Sequence, residues 1–292
     1  MLAVLFTVAT FTFLWWRTGG PGDAPVVHAG SGAALLRYDA GKERFAPFLG
    51  GIAAEGVDFA RDGQWAAYTS HPEGELWRRR VEGGQALRLA SAPLRAALPR
   101  WSPDGRRIAF MGRAPGRPWQ IHVVSADGGP VEVLDPENVA DPGWTSDGKA
   151  LYIGGMSGST SPILHFDLDT RRQTIVPGSH GLFSPRPSPD GRYLAALRAD
   201  SWRLMILDLR TRRWSELTTG PVAYPAWTRD GSWLHFHDLG ATASFRRIEP
   251  ATRREERVAA VKGLSLADGE WGAWSGLSPD GAPLLLHAPT GG

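Results

Sequence analysis

The chain predicts an all-β fold, a six-bladed β-propeller of four-stranded blades. Three observations carry this reading. A short turn pattern recurs six times, its spacing matches one blade, and the two ends of the chain hold complementary parts of a blade. The turns are Phe59-Ala60-Arg61-Asp62-Gly63, Trp101-Ser102-Pro103-Asp104-Gly105, Trp144-Thr145-Ser146-Asp147-Gly148, Pro187-Ser188-Pro189-Asp190-Gly191, Trp227-Thr228-Arg229-Asp230-Gly231 and Leu277-Ser278-Pro279-Asp280-Gly281. Successive aspartates lie 42, 43, 43, 40 and 50 residues apart. A period near 40 is that of a four-stranded propeller blade.

Each Asp-Gly pair stands between two apolar runs and so marks a hairpin. Glycine accepts a positive φ there, and aspartate bonds the backbone of its own turn. Four residues after each Asp come Ala66, Ile108, Leu151, Leu194, Leu234 and Leu284. Six residues after it come Tyr68, Phe110, Ile153, Ala196, Phe236 and Leu286. This period of two marks a strand. The intervening positions are often apolar as well, as expected of sheets covered on both faces.

A third strand follows, in Leu76-Trp77-Arg78, Ile121-His122-Val123, Ile163-Leu164-His165, Leu204-Met205-Ile206 and Phe245-Arg246-Arg247. A second tight turn, such as Gly83-Gly84 or Thr211-Arg212-Arg213, leads to a fourth strand such as 131–134 or 174–176. The sixth unit has only one strand after its turn, over 283–287. Leu35-Leu36-Arg37-Tyr38-Asp39, a Gly41-Lys42 turn and residues 44–48 match the missing pair. The N-terminal strands are therefore expected to complete the last blade, closing the ring and leaving no exposed edge.

Ahead of the propeller, assigned to 34–292, residues 1–17 form a hydrophobic segment and 18–33 a linker rich in Gly and Pro. The fifteen residues 2–16 fall short of the ~20 that span a bilayer. Trp15 and Trp16 beside Arg17 resemble an interfacial anchor. The leading expectation is a short hydrophobic helix that anchors the chain to a membrane. A cleaved signal peptide and the tail of a longer transmembrane helix are the alternatives.

Composition narrows the function classes. With 42% hydrophobic and 21% charged residues the chain is an ordinary globular protein. A formal net charge of +2 is too small to argue for nucleic acid. With no cysteine, thiolate catalysis, disulfides and Cys-based zinc sites are excluded. Thirteen Trp and eleven Phe suit packing between blades, and Trp101, Trp144 and Trp227 read as core aromatics.

The Trp-Ser-Pro-Asp-Gly turn followed by Ile108-Ala109-Phe110 resembles the TolB-type, WD40-like propeller repeats of bacteria, over residues 34–287. The stretches Phe48-Leu49-Gly50-Gly51-Ile52, Glu55-Gly56-Val57-Asp58-Phe59, Gly181-Leu182-Phe183-Ser184-Pro185-Arg186 and Trp274 to Gly281 look like those of acidobacterial membrane regulators. In that group a winged-helix or kinase domain precedes a transmembrane helix and an outer propeller. The resemblance implies a membrane-anchored, extracytoplasmic propeller with protein partners in the cell envelope. A secreted or periplasmic protein after signal cleavage is the alternative.

The chemical motifs are weak. Gly155-Met156-Ser157-Gly158-Ser159 misses the Gly-x-Ser-x-Gly elbow of serine hydrolases at its last position. His235 and His237 share one strand face, and His287 holds the matching place in the next unit. Together they offer the one candidate for three-imidazole zinc ligation, with packed core histidines as the plainer reading. Asp167 and Asp169 before Thr170 read as turn residues more than as calcium ligands. No cofactor and no catalytic residue is assigned. The Thr-Arg-Arg turns at 170–172, 211–213 and 252–254 fall on one rim, as solvated turns or as a basic patch.

The longer, more varied loops emerge on the face opposite the Asp-Gly turns, where binding residues usually sit. His71, Glu73, Arg113, Arg117, Glu137, Asn138, His180 and Tyr224 are the candidates there. The expected role is non-catalytic recognition of a protein, peptide or glycan in the cell envelope, as the sensor half of a signalling protein or as a free-standing module. The alternative is a propeller hydrolase or lyase with a metal site in its channel.

Overall fold

A computed structural model describes residues 27–29, 33–50, 52–241, 243–261 and 263–288. The expected helix within 1–17 and most of the 18–33 linker lie outside the described residues. Among the described residues no helix is long and apolar enough to cross a membrane.

Six blades form the structure: five are four-stranded antiparallel sheets, and the sixth adds two short strands to its four. Blade 1 contains Ala54–Phe59, Trp65–Ser70, Leu76–Arg80 and Leu87–Ala90, from the channel outward. Blade 2 contains Arg95–Trp101, Arg107–Arg113, Gln120–Ser125 and Glu132–Glu137. Blade 3 contains Val139–Trp144, Ala150–Gly155, Leu164–Asp167 and Gln173–Ile175. Blade 4 contains Leu182–Pro187, Tyr193–Arg198, Leu204–Asp208 and Arg213–Glu216. Blade 5 contains Val222–Trp227, Leu234–Asp238, Ser244–Ile248 and Glu255–Ala260. Inner strands neighbour one another around the ring, and blade 6 meets blade 1.

Blade 6 joins the two ends of the chain, as the sequence predicts. Ser275–Leu277 and Pro283–His287 are followed outward by Ala34–Asp39 and Arg44–Pro47. The closing register pairs Leu35 with Leu286 and Leu36 with Leu285. Leu35 and Leu284 are fully buried in the core. A further strand, Val27–Ala29, runs parallel to Leu266–Asp268.

The repeated turn is a small polar unit. In blade 2, Gly105 N–H donates to Ser102 O at 2.9 Å. Ser102 Oγ donates to Asp104 Oδ1 at 2.6 Å, and Arg106 N–H donates to the same oxygen at 3.0 Å. Arg107 N–H donates to Ser102 Oγ at 2.9 Å. Gly105 holds φ 70°, the left-handed region that other residues enter only at a cost. The other turns repeat this through Thr145–Asp147, Ser188–Asp190, Thr228–Asp230 and Ser278–Asp280. Blade 1 has Ala60 in the hydroxyl position, so its Asp62 is left with the backbone bond from Gln64 at 2.8 Å.

A second repeated device shapes the channel. The inner strands of blades 2 to 5 each carry a bulge. At each bulge a residue before proline has a positive φ: Leu98, Asp141, Ser184 and Tyr224. A bulge bends its strand and re-aims the side chains beside it.

The outer rim uses the Thr-Arg-Arg turns differently from a free basic patch. Arg171, Arg212 and Arg253 all adopt left-handed φ near 60°. From blade 3, Arg171 Nη1 meets Glu132 Oε1 of blade 2 at 2.8 Å. From blade 5, Arg253 Nη1 donates to Glu216 O of blade 4 at 2.7 Å. Two of these arginines therefore clip one outer strand to its neighbour. Asp167 Oδ1 accepts the N–H and hydroxyl of Thr170, each at 2.8 Å, in the expected turn role.

Candidate binding site in the central channel

The channel holds a cavity of about 290 Å³. Its wide lining comes from the Asp-Gly turns, including Ser102, Ser146, Ser188, Thr228 and Ser278. Tyr224 and Trp274 belong to the same lining. Asp58, Arg100 and Arg186 line it from inner-strand positions four residues before the turn aspartates, and Asp141 pairs with the two arginines.

Asp141 sits between two guanidinium groups. Arg100 Nη2 reaches its Oδ1 at 2.8 Å, and Arg186 Nη2 reaches its Oδ2 at 2.6 Å. Ser184 Oγ donates to Oδ2 at 2.7 Å. Burial by itself raises the Asp141 carboxyl. Arg186, Arg100 and these hydrogen bonds more than reverse that, leaving it below the usual carboxylate range. Arg186 also donates to Pro225 O at 3.1 Å and Pro185 O at 2.9 Å, so one side chain ties three blades together.

Asp58 is the other carboxylate. Its Oδ2 accepts Trp101 N–H at 2.6 Å. Burial dominates here and pushes its carboxyl up, against the opposing pull of Arg100 and the Trp101 amide. The half-buried Asp58 and the buried Asp141 are thus displaced in opposite directions.

Indole groups complete the frame. Trp144 Nε1 donates to Arg100 O at 2.9 Å, and Trp227 Nε1 donates to Arg186 O at 2.9 Å, each toward the preceding blade. Trp101 Nε1 and Arg100 Nε are buried without a hydrogen-bond partner among the described residues. Both residues line the cavity. The two donor atoms themselves lie out of solvent contact behind that lining, where each calls for an acceptor such as a buried water.

The eight loop-face candidates divide into groups. His71 Nδ1 donates to Glu55 Oε1 at 3.1 Å, and Arg95 Nη2 donates to the same oxygen at 2.7 Å. Arg113 Nη2 meets Glu270 Oε1 at 3.1 Å. Tyr224 OH donates to Trp271 O. His71, Arg113 and Tyr224 therefore converge on one mouth of the channel. Arg117 and Glu137 pair with each other at 2.9 Å on the surface of blade 2. Asn138 N–H donates to Trp119 O at 3.0 Å. Glu73 and His180 are exposed on separate loops.

The three-histidine arrangement does not assemble. His237 stacks on Phe245 with ring centroids 5.1 Å apart, while His287 Nδ1 donates to Ser265 O at 2.7 Å. Among the described residues no group of three or more His, Asp or Glu is placed to hold a metal ion. Trp101 and Trp144 are buried as expected, and Trp227 is half-buried, stacked on Tyr193 at 6.2 Å.

Sequence reasoning missed Asp58, Arg100, Asp141 and Arg186. A signal was present in the second repeat, Leu98-Pro99-Arg100-Trp101, Asp141-Pro142-Gly143-Trp144, Ser184-Pro185-Arg186-Pro187 and Tyr224-Pro225-Ala226-Trp227. Its prolines recur at nearly the spacing of the turns and mark each bulge.

No protein-family model matches the chain. Among solved structures, the putative TolB from Agrobacterium tumefaciens is similar with a TM-score of 0.67 at 18% identity, covering 89% of this chain and 100% of that one. The fold is that of a TolB-type propeller. The chain is also similar to a TolB homolog of Chlorobium luteolum, 30% identical over 140 residues, 47% of this chain and 32% of the relative. An uncharacterized peptidase of Bacillus subtilis, YuxL, is 27% identical over 198 residues, 63% of this chain and 29% of the relative. The TolB-type propeller thus spans about a third or less of the length of these relatives.

Proposed function

We propose that this TolB-type propeller is a non-catalytic recognition module that holds a segment of a protein partner at the Asp-Gly mouth of its channel. One observation carries the reading: the cavity is lined by Arg100, Arg186 and Arg229 together with the hydroxyl residues Ser102, Ser146, Ser188, Thr228 and Ser278. Such a site accepts carbonyl or carboxylate oxygens of an inserted chain. A peptide supplies them in a regular row, which favours it over a glycan.

The test is a photo-crosslinking residue at Ser146 on the cavity rim, used in the native host. Polypeptide adducts at Ser146 that are absent for the same group at Glu249 on the outer rim are expected. Equal labelling at both positions sinks the reading.

The opposite displacement of Asp58 and Asp141 favours a second reading, a hydrolase or lyase acting in the channel. In that case, loss of turnover on Asp58→Asn with unchanged partner capture separates the two. A place outside the cytoplasmic membrane rests on the apolar residues 2–16 and the resemblance to envelope propellers. Protease accessibility of the propeller in spheroplasts tests it.

A further inference from the structure

The spacing of 50 residues before the sixth turn exceeds the 40 to 43 of the others. The surplus falls within the inner strand of blade 6. Leu266–Asp268 and Ser275–Leu277 both pair with Pro283–His287, through Leu266 to His287 and Ser275 to Leu285. Between them the chain leaves the sheet in a tight hairpin. Gly269 and Gly272 exchange both backbone hydrogen bonds, at 3.2 and 3.1 Å, with Glu270 and Trp271 at the tip. Blades 2 to 5 run through this position in one strand, so the propeller itself does not require the tip.

The tip is received by groups from other blades. Glu270 Oε2 accepts from Arg95 Nε at 3.1 Å, and Glu270 Oε1 faces Arg113 Nη2 at 3.1 Å. Trp271 meets the edge of Trp119 with centroids 5.2 Å apart. Tyr224 OH donates to the Trp271 carbonyl.

These receiving groups are held independently of the tip. Arg95 also donates to Glu55 Oε1 at 2.7 Å and Pro72 O at 2.9 Å. Arg113 stacks 4.6 Å above Trp119. Removing the tip thus leaves two positioned guanidinium groups beside an indole. The tip also fills its seat incompletely. Glu55 Oε2 and Trp271 Nε1 are buried without hydrogen-bond partners. A Cβ built on Gly269 lies 3.9 Å from Glu55 Cγ, so the Glu55 side-chain stem abuts the tip backbone.

The geometry points to a second binding site at this loop-side mouth, for a peptide bearing an acidic residue followed by an aromatic one, with Glu270-Trp271 as its resting internal occupant. The two guanidinium groups take the acidic side chain, and Trp119 takes the aromatic ring. Glu55 Oε2 offers an acceptor for an additional N–H, which the tip leaves unused. An external chain that supplies it displaces the tip, whose glycines at 269 and 272 act as hinges. The site opens away from the Asp-Gly turns, shares Tyr224 alone with the cavity lining, and stands whether or not that cavity holds a partner.

The probe is the tetrapeptide acetyl-Gly-Glu-Trp-Gly-amide, titrated by calorimetry into the full chain. A double variant, Glu270→Ala with Trp271→Ala, is expected to bind it at least tenfold more tightly than the unchanged protein. The same probe with Gln for Glu is expected to lose at least tenfold. A double variant with an unchanged melting profile that binds no better than the unchanged protein overturns the proposal. Should the variant not fold, hydrogen exchange on the unchanged protein decides. Faster exchange at the Gly269 and Gly272 amides with added probe supports displacement. Unchanged exchange up to the solubility limit of the probe overturns it.

Discussion

Arg186 of blade 4 and Asp141 of blade 3 meet at 2.6 Å inside the channel, with both side chains about one-tenth exposed. The same carboxylate serves Arg100 of blade 2. Asp141→Ala leaves two buried guanidinium groups without their shared counter-charge. Loss of one partner of a buried pair costs about 3 to 5 kcal/mol, and that loss is expected in urea denaturation. A cost below about 1 kcal/mol would mean that solvent already screens the pair.

Ring closure is tested by truncation. Removing residues 1–48 takes Ala34–Asp39 and Arg44–Pro47 from blade 6, together with Val27–Ala29, and uncovers Leu285 and Leu286, now 1% and 3% exposed. The truncated chain is expected to lose cooperative melting and to be cut rapidly by protease. A milder probe is Leu35→Ala, a fully buried site, with an expected cost of about 2 to 5 kcal/mol. Melting like that of the intact propeller would refute the closure by N-terminal strands.

Acid should weaken the fold through blade 5. Burial holds His235 and His237 down to about 4 from an ordinary 6.5, with Arg247 adding to the effect at His235 and Asp238 opposing it at His237. Both are favoured neutral in the folded state, while the unfolded chain takes up the proton. Their stabilisation is complete above about pH 6.5 and is lost as pH falls toward about 4. The full loss is on the order of 3 kcal/mol for each histidine. Melting followed from pH 7 to pH 4.5 should show the decline. His235→Phe with His237→Phe should flatten it, and an unchanged slope would place the acid sensitivity elsewhere.

The first turn can be improved. Ala60 stands where the other turns carry Ser or Thr, and its backbone already accepts from Gly63 at 2.8 Å. Ala60→Ser should add the missing hydroxyl bonds and stabilise the propeller by about 0.5 to 1.5 kcal/mol. A raised melting temperature is the readout, and a lowered one would show that this turn has no room for the oxygen.

The architecture was legible because each blade repeats the same local chemistry. The Asp-Gly turns, the period-two strands after them and the split sixth blade are properties of neighbouring residues. The channel was less so. Asp58, Arg100, Asp141 and Arg186 are 41 to 45 residues apart in successive pairs, and only the closed ring brings them together. His71, Arg113 and Tyr224 stand in the sequence as separate loop residues. Their link through Glu270 and Trp271 depends on a hairpin whose one sequence trace is the long interval before Asp280. The Thr-Arg-Arg turns were visible as a repeat, but the reach of Arg171 and Arg253 to the preceding blade requires the stacking of sheets.

The shared sixth blade also imposes an order on synthesis. The strand at Ala34–Asp39 leaves the ribosome early, yet its partner at Pro283–His287 follows some 247 residues later, counted from Arg37 to Leu284. At about 5 to 20 residues per second that interval is roughly 12 to 50 s. For that time Leu35 and Leu36 have no blade to enter, and the nascent chain presents a sticky hairpin that still lacks its partner strand on one side. A holding chaperone in the compartment of synthesis, or export before folding, would meet that need. The arc of five blades has to wait for the last strand before it becomes a ring.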